Sequence, residues 1–200
     1  MGEFIFKFKL LISKLLYLPL IVFYNRSSEK LKVYEDVNYW CSIVGFNDKS
    51  DLSKLIYLLR FKKQFRNLFY FRCNNIPQMI RKIAPEDSTL IIAEDMNDIA
   101  GGGLYFEHAV STHVAAKKIG KGCIIRHLTT FGVKSRDRHD EKPTIGNNVD
   151  FGVNVTCIGE ISVGDNAIIA AGSVVVKDVP RNAIVAGNPA KIIKFRDDIK

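Results

Sequence analysis

IGNNVDFGVNVTCIGEISVGDNAIIAAGSVVVKDVP, residues 145–180, divides into six hexads without a slip. The first position is Ile145, Phe151, Cys157, Val163, Ile169 and Val175, apolar throughout. The fifth is Val149, Val155, Ile161, Ala167, Ser173 and Val179, small or medium-sized. An earlier block, IGKGCI, IRHLTT, FGVKSR over residues 119–136, has the same shape and is led by Ile119, Ile125 and Phe131. A period held this long marks a solenoid. Each hexad predicts one short strand and a tight turn, and three hexads close one triangular coil. The leading apolar side chain points inward and stacks on its counterparts in neighbouring coils. Gly, Asn and Asp between them suit the turns. The fold class expected is mainly β with an α-helical N-terminal region, the β part being a parallel β-helix of hexapeptide repeats.

Upstream of about Ile91 the texture differs, which divides the chain into a helical region at 1–90 and the β-helix at 91–200. Asp51–Arg72 predicts one amphipathic helix, with Leu52, Leu55, Ile56, Leu59, Leu68 and Phe69 on one face. Lys54, Lys62, Lys63 and Arg66 occupy much of the rest, and Ser50 or Asp51 is placed to cap its start. The helical region and the segment after Pro180 are the expected caps of the solenoid. The net charge of +8 is concentrated early: residues 1–90 hold 15 Lys/Arg against 8 Asp/Glu, residues 91–200 hold 14 against 13. Nucleic-acid binding is not expected, because the aromatics of this half sit at helical core spacings and not on a sheet platform. The apolar runs within residues 1–24 are too short to span a bilayer. They predict either peripheral membrane contact or packing inside an oligomer. The four cysteines, Cys41, Cys73, Cys123 and Cys157, follow neither a metal nor a disulfide spacing and predict reduced thiols in a cytoplasmic protein, membrane-peripheral if residues 1–24 bind lipid.

Function is expected near one register break. Fourteen positions separate Phe131 from Ile145 where two hexads take twelve, and the intervening Val133–Lys142 is highly charged. A charged insertion in a strict solenoid is where chemistry is usually carried. All four histidines, His108, His113, His127 and His139, cluster in the short stretch that runs from β-helix start to this insertion. Histidine is the usual general base near neutral pH, and the spacing does not match a zinc motif, so acid–base work and not metal binding is expected.

At these residues the sequence resembles a known family. GGGLYFEHAVSTHVAAKKIGKGC, KSRDRHDEKPTIGNNV and AGSVVVKDVPRNAIVAGNPAKII are similar to the serine acetyltransferase branch of the hexapeptide-repeat acyltransferases, over about residues 90–194. The resemblance implies a left-handed β-helix and an acetyl-CoA-dependent O-acetyltransferase without a metal. It implies His108 as the catalytic base with Glu107 beside it, where the family has an aspartate. Arg138 and His139 would engage the acceptor. Acetyl-CoA would lie in a groove between subunits of a homotrimer, with Gly132, Val153, Ala171 and Lys191 lining it.

Three departures accompany the resemblance. The aspartate that orients the family's histidine has its counterpart near Ile92, which leaves Glu94 or Asp95 as substitutes. The N-terminal region is shorter than in typical serine acetyltransferases. The chain ends Arg196-Asp197-Asp198-Ile199-Lys200, unlike the isoleucine-ending tail by which those enzymes bind the next enzyme of cysteine synthesis. Such shortened relatives look like acetyltransferases that decorate bacterial surface polysaccharides, so the acceptor is either L-serine or a sugar hydroxyl. A non-catalytic β-helix scaffold is the alternative from another class.

Overall fold

The computed structural model describes residues 11–47, 49–93, 95–96 and 98–196, arranged in two compact units, Met1–Asp87 and Ser88–Lys200. The first ten residues of the expected membrane-surface stretch lie outside the described residues, as does Glu94.

The first unit is helical. Residues 11–16 are helical, and α1 (Leu18–Arg26), α2 (Lys30–Val44), α3 (Asp51–Phe61), α4 (Lys63–Arg72) and the short α5 (Gln78–Arg81) follow. Gly45 ends α2 in the left-handed conformation at φ 72°, which only glycine adopts without cost. The Ser50 hydroxyl caps α3 by accepting from the Ser53 N–H at 3.4 Å. The single helix expected over Asp51–Arg72 is in fact two, broken at Lys62 (φ −122°, ψ 94°). Arg66 explains the break. Expected on the solvent face, it is instead buried, and its guanidinium donates to the carbonyls of Leu59 (2.6 Å), Arg60 (2.9 Å) and Pro85 (2.6 Å). A buried cation has thus replaced the backbone bonds that would have continued the helix. Helix α4 is buried nearly all round, and Arg72 forms a buried ion pair with Asp36 at 3.0 Å. Part of this region's positive charge is therefore internal. Leu11, Ile12, Leu15, Leu16 and Leu18 are exposed, and no helix among the described residues is long and apolar enough to cross a membrane.

The second unit is the expected solenoid. Its strands are β1 (Leu90–Ile92), β2 (Leu104–Glu107), β3 (Thr112–Val114), β4 (Lys118–Ile119), β5 (Cys123–Arg126), β6 (Thr130–Gly132) and β7 (Thr144–Ile145). They continue as β8 (Asp150–Phe151), β9 (Thr156–Ile158), β10 (Ser162–Val163), β11 (Ile168–Ile169), β12 (Val174–Val175), β13 (Ala183–Gly187) and β14 (Ala190–Phe195). They form three parallel faces: β1-β3-β6-β9-β12, β4-β7-β10, and β2-β5-β8-β11-β13, with β14 turning back antiparallel on β13. Ile145 pairs with Val163, Phe151 with Ile169 and Cys157 with Val175, so one coil takes three hexads. All six leading side chains from Ile145 to Val175 are buried, and so are all six at the fifth position. Stacking begins at Leu90, before the first recognisable hexad.

The register also corrects the size of the charged insertion. Ile119 pairs with Ile145 and Phe131 with Cys157, so the loop belongs to a single coil and not to two hexads of a longer run. Measured against the regular coil from Ile145 to Val163, the excess is eight residues, not two.

A candidate active site at one corner of the solenoid

The chain runs from the third face to the first through a stack of corners. Phe106 pairs with Ile125 and Val114 with Phe131. The earlier corner thus takes eight positions from lead to lead, where the next takes six. His108 sits in that two-residue bulge, exposed, with φ 52°. Its carbonyl accepts from the Val110 N–H at 2.7 Å, closing a three-residue turn, while Ala109 is buried beneath it. A non-glycine residue held left-handed costs energy and clusters at functional sites. This second register break is a signal that sequence reading missed.

Below His108 the corner continues coil by coil. The Leu128 N–H donates to Val110 O at 3.0 Å, Asn154 N–H to His127 O at 2.9 Å, and Gly172 N–H to Val153 O at 2.8 Å. Val153 and Ala171 therefore lie on the column that His108 heads. Successive coils are about 4.8 Å apart, the ordinary strand spacing. The column has the length to support an extended thioester chain.

Glu107, the last residue of β2, is not free. Its carboxylate accepts from Arg126 Nε at 2.6 Å, the residue directly opposite on β5. The same guanidinium is paired with Asp150 and donates to the Phe151 carbonyl at 3.0 Å. Burial opposes the Arg126 charge, but the two carboxylates outweigh it and hold its pKa above the ordinary value. Neither Arg126 nor Asp150 was singled out by sequence reading. Their only sequence signal is opposite charge at positions facing outward on adjacent coils.

The charged loop lies elsewhere. It leaves the end of β6, the far end of the first face from the His108 corner. Arg138 is paired with Glu141 of its own loop at 3.1 Å, and His139 is exposed. Lys142 ties the loop to Asp95, and that hydrogen bond holds the Asp95 carboxyl below its usual range. Asp95 is thereby engaged at the loop end, and Ile92 pairs opposite Val114, so neither stands at His108. His113 lies exposed on β3 between the two ends, and His127 is half-buried under the corner. Gly132 closes β6 at the loop end, where a Cβ would meet nothing within 4 Å. Lys191 is exposed on β14. Within one chain the candidates thus fall into two groups, His108 with Glu107, Val153 and Ala171 at one corner, and Gly132 with Arg138 and His139 at the other. Among the described residues no three His, Cys, Asp or Glu side chains come together to hold a metal ion.

Known proteins agree with this architecture. No family model matches the chain. It is 39% identical over 99 residues to serine acetyltransferase 2 of Arabidopsis thaliana, which covers 49% of this chain and 31% of that protein. It is 46% identical over 90 residues to the galactoside O-acetyltransferase of Escherichia coli, covering 40% of this chain and 44% of the relative. The chain thus spans less than half the length of these curated relatives. Among solved structures, serine acetyltransferase of Neisseria gonorrhoeae in complex with serine matches with a TM-score of 0.67 at 27% identity, over 88% of this chain and 74% of that one.

Proposed function

With a solenoid of the serine acetyltransferase-like branch of the hexapeptide-repeat acyltransferases as the premise, we propose that the chain is an acetyl-CoA-dependent O-acetyltransferase with His108 as its general base. The observation that carries this reading is His108 itself, held left-handed in a bulge at the head of the corner column that contains Val153 and Ala171. A hydroxyl is a weak nucleophile at neutral pH and needs a base within hydrogen-bond reach. His108 takes the hydroxyl proton as the oxygen attacks the thioester carbonyl, and returns it to the departing thiolate. Backbone N–H groups of the stacked turns stabilise the oxyanion between these steps. Val153 and Ala171 line the donor on this corner, and Gly132 and Lys191 complete the lining.

Arg138 and His139 hold the acceptor in this reading. Because their loop and the His108 corner are opposite ends of one face, the complete site takes a corner from one copy and a loop from its neighbour. A homotrimer closed around the threefold axis supplies that pairing. A donor made in the cytoplasm fits the cytoplasmic location expected from the sequence. A serine acetyltransferase and a galactoside O-acetyltransferase both match part of the chain, so two acceptor classes stand at this point.

The test is thiol release from acetyl-CoA with L-serine and a panel of methyl glycosides. The chain's own cysteines do not confound a thiol reagent, since all four are free and buried. Burial pushes Cys41, Cys73 and Cys123 up to about 11 and Cys157 to about 12. Acceptor-dependent release is expected. Absence of release with every acceptor of both classes would leave the non-catalytic scaffold as the better reading.

A further inference from the structure

The ion pairs at the two ends of the first face bear on the acceptor. An amino-acid acceptor brings an ammonium on the carbon next to the one that bears its hydroxyl, and a carboxylate beside it. Holding it takes a free anion near the base and a free cation for the carboxylate. Here the anion beside His108 is already paired. Glu107 is bound by Arg126 Nε at 2.6 Å, and Arg126 is fixed in place by Asp150 and by the Phe151 carbonyl at 3.0 Å. With three partners and a half-buried stem, this guanidinium is a built feature of the β2-β5-β8 surface and not a wandering surface charge. The cation at the other end, Arg138, is likewise paired with Glu141 at 3.1 Å.

We propose that Arg126 is a specificity-determining residue: by pairing with Glu107 it occupies the anion that an ammonium beside the reacting hydroxyl would need, and so selects a neutral polyol, a sugar ring, as acceptor. This rests on acetyl transfer at His108. A neutral acceptor needs no unpaired charge there and still finds carboxylate oxygens and guanidinium N–H groups as hydrogen-bond partners. A zwitterion must displace Arg126 Nε from Glu107 before that carboxylate is available to it.

The test compares kcat/KM for L-serine with that for methyl β-D-galactoside, using the full chain and acetyl-CoA. In the wild type the neutral acceptor is expected to be preferred by about tenfold, the size of one screened charge pair forgone at contact range. Arg126→Gln frees Glu107 and is expected to raise the serine-to-glycoside ratio about tenfold with the acetyl-CoA KM unmoved. Arg126→Lys keeps the charge and is expected to keep the preference. A purely structural Arg126 would lower both acceptors together and leave the ratio alone. A wild type that prefers L-serine, or an Arg126→Gln variant that folds by circular dichroism with an unaltered ratio, overturns the proposal while leaving acetyl transfer intact. If Arg126→Gln does not fold, the wild-type preference alone decides. Absence of thiol release with either acceptor overturns the reading on which the proposal stands, and the proposal with it.

Discussion

At His108 the backbone and the side chain make separable demands. The backbone needs a residue that tolerates φ 52°, and the proposed chemistry needs an imidazole. Alanine meets neither, so the informative variant is His108→Asn, because asparagine is the non-glycine residue that enters the left-handed region most readily. His108→Asn is expected to melt within about 1 kcal/mol of the wild type, whereas His108→Val should lose about 1–2 kcal/mol by urea denaturation. Turnover of His108→Asn should fall by about 10²–10⁴-fold with the acetyl-CoA KM little changed. Wild-type turnover in that variant would move the base elsewhere, with exposed His113 the next candidate. The histidine was legible in the sequence from its neighbours Glu107 and Ala109. Its bulge was not, since the hexad frame is clear only from Ile119 onward, and the extra two residues show only when Val114 is seen to pair with Phe131. Arg126 was hidden for a different reason. It occupies an ordinary outward repeat position, and nothing in a linear reading says that its partners are Glu107 on the coil before it and Asp150 on the coil after.

At the scale of the element, the corners explain why asparagine recurs in the repeats. Asn148, Asn166 and Asn182 stack at one corner with φ between 54° and 62°, and their amides run in a ladder. Asn148 Nδ2 donates to Asn166 Oδ1 at 3.3 Å, and Asn166 Nδ2 to Asn182 Oδ1 at 3.1 Å. The rung above them is Gly122, φ 73°, where an added Cβ would lie 2.3 Å from Asn148 Oδ1 and oblige that side chain to move. Asn166 therefore does two jobs. Asn166→Gly keeps the conformation and loses the ladder, while Asn166→Ala loses both. Urea melts should show a loss of about 1 kcal/mol for glycine and about 2–3 kcal/mol for alanine. Equal losses would mean that the ladder alone matters. These turn residues were legible, because Asn and Gly suit left-handed turns whatever surrounds them. The break between α3 and α4 was not. Local periodicity continues across Lys62, and the helix stops because Arg66 reaches the carbonyls of Leu59, Arg60 and Pro85, the last from far along the chain. The loop length was misread on similar grounds: only the pairing of β4 with β7 shows which coil the loop interrupts and how far it exceeds its neighbours.

At the scale of the molecule, the separation of the two candidate groups is the observation that most constrains assembly. His108 and the Arg138–His139 loop sit at opposite ends of one face, with strand β3 or β6 between them. In the proposed reading one copy presents half a site at each end of this face, and a ring of copies would join unlike halves. This gives a prediction that mass measurement alone does not. Two variants are made, His108→Asn, which lacks the base, and the double replacement Arg138→Ala with His139→Ala, which lacks the loop groups. Each is expected to be nearly inactive alone. Denatured together in equal amounts and refolded, they form mixed rings in which some interfaces pair an intact corner with an intact loop. Random mixing makes about one site in four complete, whatever the number of copies in the closed ring. Recovery of about a quarter of wild-type turnover is expected, and none before the variants exchange subunits. If each site lay within one chain, no mixture would recover activity, because every chain carries one defect. A trimeric mass with no recovery would therefore reject the shared site while leaving the trimer standing.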